Sequence, residues 1–259
     1  MNQTISVCVL GATGTIGIAL TSHLIAKGVK VNAVVKDANK LNRLLLQRNI
    51  DNTNECLTVY TMDLFAGNGE LANGLAKPLD GCCAVFNCAS PKLSWKPWSK
   101  INRTWQHPIT SLTKTLVALG SEQVLKPHIV SFCGPDYFDG YNTNLYFYQR
   151  WFSKTSRVLF PALQDNYDEA LFLSNACYPN WTVFRCGGIK PDDAKQGTIS
   201  LGKASNVAID FVQDKSNYRA GKGYSLYAHD LGAYIAELMA TKSMASVSQK
   251  MPYAFNLMF

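Results

Sequence analysis

Short apolar runs alternate with amphipathic stretches through the first half of the chain. Residues 5–10 form a β-branched, apolar run that predicts a strand. Residues 15–27 carry Ile16, Ala19, Leu20, Leu24 and Ile25 at helical spacing, and Gly28 stops that helix. The same reading predicts strands at 29–35, 57–62, 83–88 and 128–133. Helices fall at 39–48 and 105–119, the second ending at Gly120. Strands alternating with helices imply right-handed βαβ units and a parallel sheet.

The second half is less regular. Residues 136–152 are aromatic and rich in turn formers. A helix is expected at 161–176 and a strand at 181–185, followed by a break at Gly187-Gly188. Further strands are expected at 224–227 and 253–259. Asp230 reads as the N-cap of a helix over 231–241. No repeat or linker divides the chain. The expectation is one α/β domain over 1–259, Rossmann-like and doubly wound, with helices on both faces of a mostly parallel sheet. Residues 135–160 and 187–228 read as substrate-side insertions.

Composition narrows the class. Hydrophobic residues make up 47% of the 259, enough for a sizeable core. Charged residues are 17%, against about 25% in ordinary soluble chains, so much of the surface is neutral or covered by a partner subunit. The net charge of +7 comes from scattered cations. Nucleic-acid binding, which needs clustered cations, is not expected. Cys8, Cys82, Cys83, Cys88, Cys133 and Cys186 lie in apolar runs and read as small buried hydrophobes. The cysteines show no CxxC pair or metal-ligand spacing, so no metal is expected. Neither a secretory leader nor a membrane-spanning run is visible. These features predict a cytoplasmic protein with reduced thiols.

The sharpest chemical signal is Gly11-Ala12-Thr13-Gly14-Thr15-Ile16-Gly17, between a predicted strand and a predicted helix. Gly11 permits the tight turn, Gly14 lets backbone approach a pyrophosphate, and Gly17 lets helix pack on sheet. The helix N-terminus then offers free N–H groups to phosphate. Thr13, Thr15 and Ile16 complete this candidate dinucleotide loop. Lys36 ends the second strand, 19 residues beyond Gly17 (36 − 17). A basic residue there favours the 2′-phosphate of NADP(H) over the 2′-hydroxyl of NAD(H). Lys40 and Arg43 follow, either beside the phosphate or on a solvated helix face. Later strand ends supply Asp63 and Leu64 for adenine, then Cys88, Ala89 and Ser90. Ser131, near the end of the fifth strand, is expected close to the nicotinamide.

These residues together resemble the atypical short-chain dehydrogenase/reductases, which include NmrA-like regulators and biliverdin/flavin reductase B. Gly11–Gly17, the Val34-Val35-Lys36-Asp37 strand end and Asp63 are similar to family positions. So are Glu169-Ala170-Leu171, Ser174, the Trp181–Ile189 stretch and His229-Asp230-Leu231. The resemblance spans nearly the whole chain and implies a Rossmann fold with a bound nicotinamide dinucleotide. One departure concerns chemistry. Typical members carry Tyr-x-x-x-Lys on the helix after the fifth strand, where the Tyr moves the alcohol proton. Here Tyr146 and Arg150 have that spacing but not the Lys. Asp165 stands four residues before the matched Glu, where many relatives have Lys.

The expected activity is therefore NADPH-dependent hydride transfer to a flat conjugated or carbonyl small molecule. The cofactor carries the chemistry and the protein supplies orientation. Ser131 and Tyr137 are the candidate proton donors. The aromatic stretch 137–152 covers either a flat substrate or a homodimer contact. The alternative is a non-catalytic NADP(H)-sensing regulatory or binding protein.

Overall fold

The computed structural model describes residues 5–51, 53–65, 70–90, 108–134, 147–186, 188–191, 203–204, 207–210, 225–241 and 243–256. In chain order these form β1 (Ser6–Leu10), α1 (Thr15–Ala26), β2 (Lys30–Val35), α2 (Ala38–Leu46), β3 (Leu57–Thr61), α3 (Glu70–Leu79), β4 (Ala84–Asn87), α4 (Pro108–Glu122) and β5 (His128–Cys133). There follow α5 (Phe147–Leu159), α6 (Pro161–Asn175), β6 (Trp181–Cys186), β7 (Gly188–Lys190), β8 (Val207–Asp210), β9 (Ser225–Tyr227), α7 (Ala228–Ala240), a 3-10 turn at Ser243–Val247, and β10 (Tyr253–Asn256).

The main sheet has the order β3-β2-β1-β4-β5-β6-β10-β8. Every neighbouring pair in it is parallel except β10 with β8. The order reverses between β1 and β4, so the chain leaves the sheet in opposite directions there. That is the point at which doubly wound sheets open a crevice beyond their carboxyl ends. A separate parallel pair joins β7 to β9.

Side-chain alternation explains why the sheet needs cover on both faces. Val7 and Val9 of β1 face one apolar layer, while Cys8 and Leu10 face the other. The first layer takes Leu20 and Leu24 of α1, Leu41 and Leu45 of α2, and Leu231 and Ile235 of α7. The second takes Leu75 of α3, Leu112 and Leu116 of α4, and Leu173 of α6. A strand buried on both faces reads as a continuous apolar run, which is how most of β1 and β4 look in sequence.

Several expectations need correction. Residues 147–152, read as part of the aromatic, turn-rich stretch 136–152, begin α5. The short elements α3, β7 and β8 had no predicted counterpart. Helix α4 starts at Pro108, whose ring fits the first helical position and lacks an N–H that would go unused there. Asp230 is not an N-cap, since α7 begins at Ala228; its buried carboxylate accepts from the Lys203 N–H at 2.8 Å. Cys83 is exposed rather than buried, because it precedes β4 at a turn. Of residues 253–259, the described strand covers Tyr253–Asn256; 257–259 lie outside the described residues.

Helix α7 lies close against α1 because Gly232 carries no side chain. A Cβ there would stand 2.9 Å from Ala19 C and Leu20 N, in backbone that has no room to retreat. Gly232→Ala should therefore cost about 1–3 kcal/mol through overpacking. The check is a lower urea midpoint with an unchanged slope.

Candidate functional site

Gly11 through Gly17 link the end of β1 to the start of α1. Gly11 adopts φ +72°, a conformation that suits glycine. Its N–H donates to Val34 O at 2.9 Å, fixing the turn to β2. A Cβ on Gly11 would lie 2.8 Å from Ala89 Cα, and one on Gly17 2.3 Å from Gly11 O. The loop is thus pressed against the end of β4 on one side and against α1 on the other. Gly11 makes the turn, and Gly17 closes α1 on the loop itself.

The first intrahelical bond of α1 runs from Ile18 N–H to Gly14 O at 2.9 Å. Among the described residues, the N–H groups of Thr15, Ile16 and Gly17 have no backbone acceptor. Gly14, the N-cap, brings no side chain to satisfy them, and the first turn holds no acidic residue. An uncapped, uncompensated N-terminus of a buried helix is an anion site in waiting. Thr13, Gly14 and Ile16 are half-buried and Thr15 is exposed, so the loop opens outward.

At the neighbouring strand ends, Lys36 and Asp63 meet. Lys36 Nζ donates to Asp63 Oδ2 at 2.5 Å, and Asp63 Oδ1 accepts from the Phe65 N–H at 3.2 Å. The Lys36 bond, then the Phe65 N–H, hold the Asp63 carboxyl below its usual range. Asp37 takes no part: its carboxylate caps α2 through the Lys40 N–H at 3.0 Å. Lys40 and Arg43 are exposed on α2. Leu64 is buried behind Asp63, while Ala89 is half-buried and Ser90 exposed beyond β4. Cys88 is half-buried against the first apolar layer, and burial raises its thiol pKa strongly, so it stays a thiol.

Ser131 is buried within the sheet. It is 1% exposed and its hydroxyl donates to Glu169 Oε1 at 2.5 Å. Strand alternation sets this: Ser131 shares a face with Ile129 and Cys133, which pack into the layer holding α4 and α6. Its hydroxyl therefore turns into the protein, toward Glu169. Tyr137, the other candidate donor, lies outside the described residues, as do Tyr141 and Tyr146.

Two buried carboxyls on α6 had no assigned role in the sequence reading. Asp165 Oδ2 accepts from Ile109 N–H at 2.8 Å, and Oδ1 from Thr110 N–H at 3.0 Å and Thr110 Oγ1 at 2.7 Å. It is the N-terminal cap of α4, supplied from 55 residues away in the chain. One turn further, Glu169 Oε1 accepts from Ser131 Oγ, Thr113 Oγ1 and Asn87 Nδ2, the last at 2.9 Å. Burial pushes the Glu169 pKa up to about 7, against the pull of these three bonds. Asn87 and Ser131 are register partners on β4 and β5, so one carboxyl ties both strands to α4 and α6 beneath the crevice. Spacing along the sequence gives no sign of such long-range contacts.

No family model matches the chain. Over 87 residues, 33% of this chain, it is 33% identical to dihydroflavonol 4-reductase of Dianthus caryophyllus, and the match spans 22% of that enzyme. A protein from Lactobacillus casei superposes with TM-score 0.68 at 16% identity, covering 98% of this chain and 100% of that one. ChuY, an anaerobillin reductase from Escherichia coli O157:H7, gives TM-score 0.60 at 13% identity, with 96% of each chain covered. The likeness at these identities is one of fold: a Rossmann-like α/β sheet over nearly the whole chain. Among the described residues, no group of His, Cys, Asp and Glu could hold a metal, and no helix is long and apolar enough to cross a membrane.

The Glu169 carboxyl titrates higher in the folded chain, about 7, than its ordinary value of 4.5. The folded state therefore holds the extra proton in that interval, and stability from this group is complete below pH 4.5 and lost as pH rises through about 7. The loss is on the order of 3 kcal/mol. Glu169→Gln, which stays neutral, should flatten this slope in urea unfolding measured across that interval.

Proposed function

We propose that this protein is an NADPH-dependent reductase of the atypical short-chain type, passing hydride to a flat conjugated or carbonyl small molecule. The observation that carries the reading is the open N-terminus of α1, backed by Gly11 and Gly17, with a basic residue at the end of β2. Pyrophosphate would be held by the Thr15, Ile16 and Gly17 N–H groups, and the 2′-phosphate by Lys36. The dinucleotide supplies the hydride when bound; the chain's part is to bind it, orient it over the ends of β4 and β5, and exclude water.

The acceptor class follows from what the nearby polar groups already do. Asp165 stands where the resemblance expects Lys, and its two oxygens are occupied in capping α4. Tyr146 and Arg150 keep the family's Tyr-x-x-x-Lys spacing without its Lys. Ser131 is bonded to Glu169. An acceptor that spreads the incoming negative charge over a conjugated system needs little acid help from the protein and takes its proton from water. Such acceptors suit this site better than an isolated aliphatic ketone.

The same missing pair favours a second reading, a non-catalytic NADP(H)-sensing protein that signals to a partner. Linkage would then require the partner to change dinucleotide affinity as much as the dinucleotide changes the partner's. In either case we expect a cytoplasmic protein, with all eight cysteines as free thiols, and a homodimer as its assembly.

One substitution separates binding from folding. Thr15→Asp adds negative charge at the N-terminus of α1, which should hold or raise the melting temperature of the free protein by dipole stabilisation. The same charge should weaken NADPH binding by about tenfold or more, by occupying and repelling the phosphate position. The wild type, at free NADPH about 100 times Kd, should gain about 2.7 kcal/mol in thermal stability. Turnover is then read as NADPH oxidation with a flavin, a quinone and an aliphatic ketone. The reductase reading expects the first two to outrun the third. Tight binding with no oxidation by any of them supports the sensor instead.

A further inference from the structure

The cation at the end of β2 is not free. Lys36 Nζ donates to Asp63 Oδ2 at 2.5 Å across the ends of β2 and β3. The two partners differ in freedom. The Lys36 side chain is 78% exposed and can swing, whereas the Asp63 carboxylate is also fixed by the Phe65 N–H. Asp37, the other nearby carboxylate, caps α2 through the Lys40 N–H. Asp63 is therefore the anion that competes for Lys36.

An exposed ion pair is weak and opens readily. A 2′-phosphate carries close to two negative charges at neutral pH and draws Lys36 away from the single charge of Asp63. A 2′-hydroxyl carries none, so the pair stays closed beside the ribose. Part of the affinity Lys36 gives a 2′-phosphate is thus offset by the pair it must leave. We propose that Asp63, through its ion pair with Lys36, sets how far the site prefers a 2′-phosphate to a 2′-hydroxyl. This rests on the cofactor reading above and assigns the discrimination to a residue on β3's side of the crevice, rather than to Lys36 alone.

The test is calorimetric titration of the full chain with adenosine 2′,5′-bisphosphate and with 5′-AMP. The wild type is compared with Asp63→Asn, Asp63→Glu and Lys36→Ala. Asparagine keeps an oxygen for the Phe65 N–H, so the turn survives, and melting curves verify it. Asp63→Asn should raise the ratio of the AMP Kd to the bisphosphate Kd about threefold. Asp63→Glu restores the carboxylate and the wild-type ratio. Lys36→Ala should lower the ratio about tenfold or more. An unchanged or lowered ratio in Asp63→Asn, with the wild type still binding both nucleotides, overturns the inference and leaves the cofactor reading intact. Failure of the wild type to bind either nucleotide overturns both.

Discussion

The structure turns on a close approach of backbone to backbone. The Gly11 carbonyl lies where a Cβ on Gly17 would stand, and the Gly11 Cα lies against Ala89. With no side chains between them, β1, α1 and the end of β4 converge on one loop. Among the described residues, the N–H groups of Thr15, Ile16 and Gly17 at the start of α1 meet no backbone acceptor. A helix end built this way costs stability unless water or an anion meets it. The rest of the sheet can be read as the scaffold that holds this end in place.

Two ties keep the scaffold rigid under the crevice. On one face Gly232 lets α7 close on α1, so the helix that follows the glycine loop is braced from behind. On the other face Asp165 and Glu169 of α6 bind α4 and the strand pair β4–β5. Burying these carboxyls is expensive, and hydrogen bonds offset only part of the cost for Glu169, whose pKa is raised to about 7. Asp165, four residues before Glu169, spends both oxygens in capping α4.

Much of this was legible in the sequence where local rules govern. Residues 5–36 read correctly as strand, glycine loop, helix and strand, because apolar period and glycine spacing are local signals. Lys36 and Asp63 were both placed at the crevice, but not their pairing, which joins residues 27 apart through the sheet register. Ser131 was placed near a strand end, but the face it occupies, toward Glu169, follows only from counting along the strand. Counting from Ile129 and Cys133 would have turned it inward. The α4 cap by Asp165 carried no local signature. Helix α3 was missed with Gly74 and Pro78 inside it, both poor helix formers, and α5 was masked by the turn residues preceding it.

The central claim is that the N-terminus of α1 and the adjoining strand ends form a dinucleotide site. Hydrogen exchange of the intact protein, with and without NADPH, tests it most directly. The account predicts slowed exchange at the N–H groups of Thr15, Ile16 and Gly17, together with the segments around Lys36 and Ala89. Protection confined to other parts of the chain, or no protection at all at saturating NADPH, would contradict it.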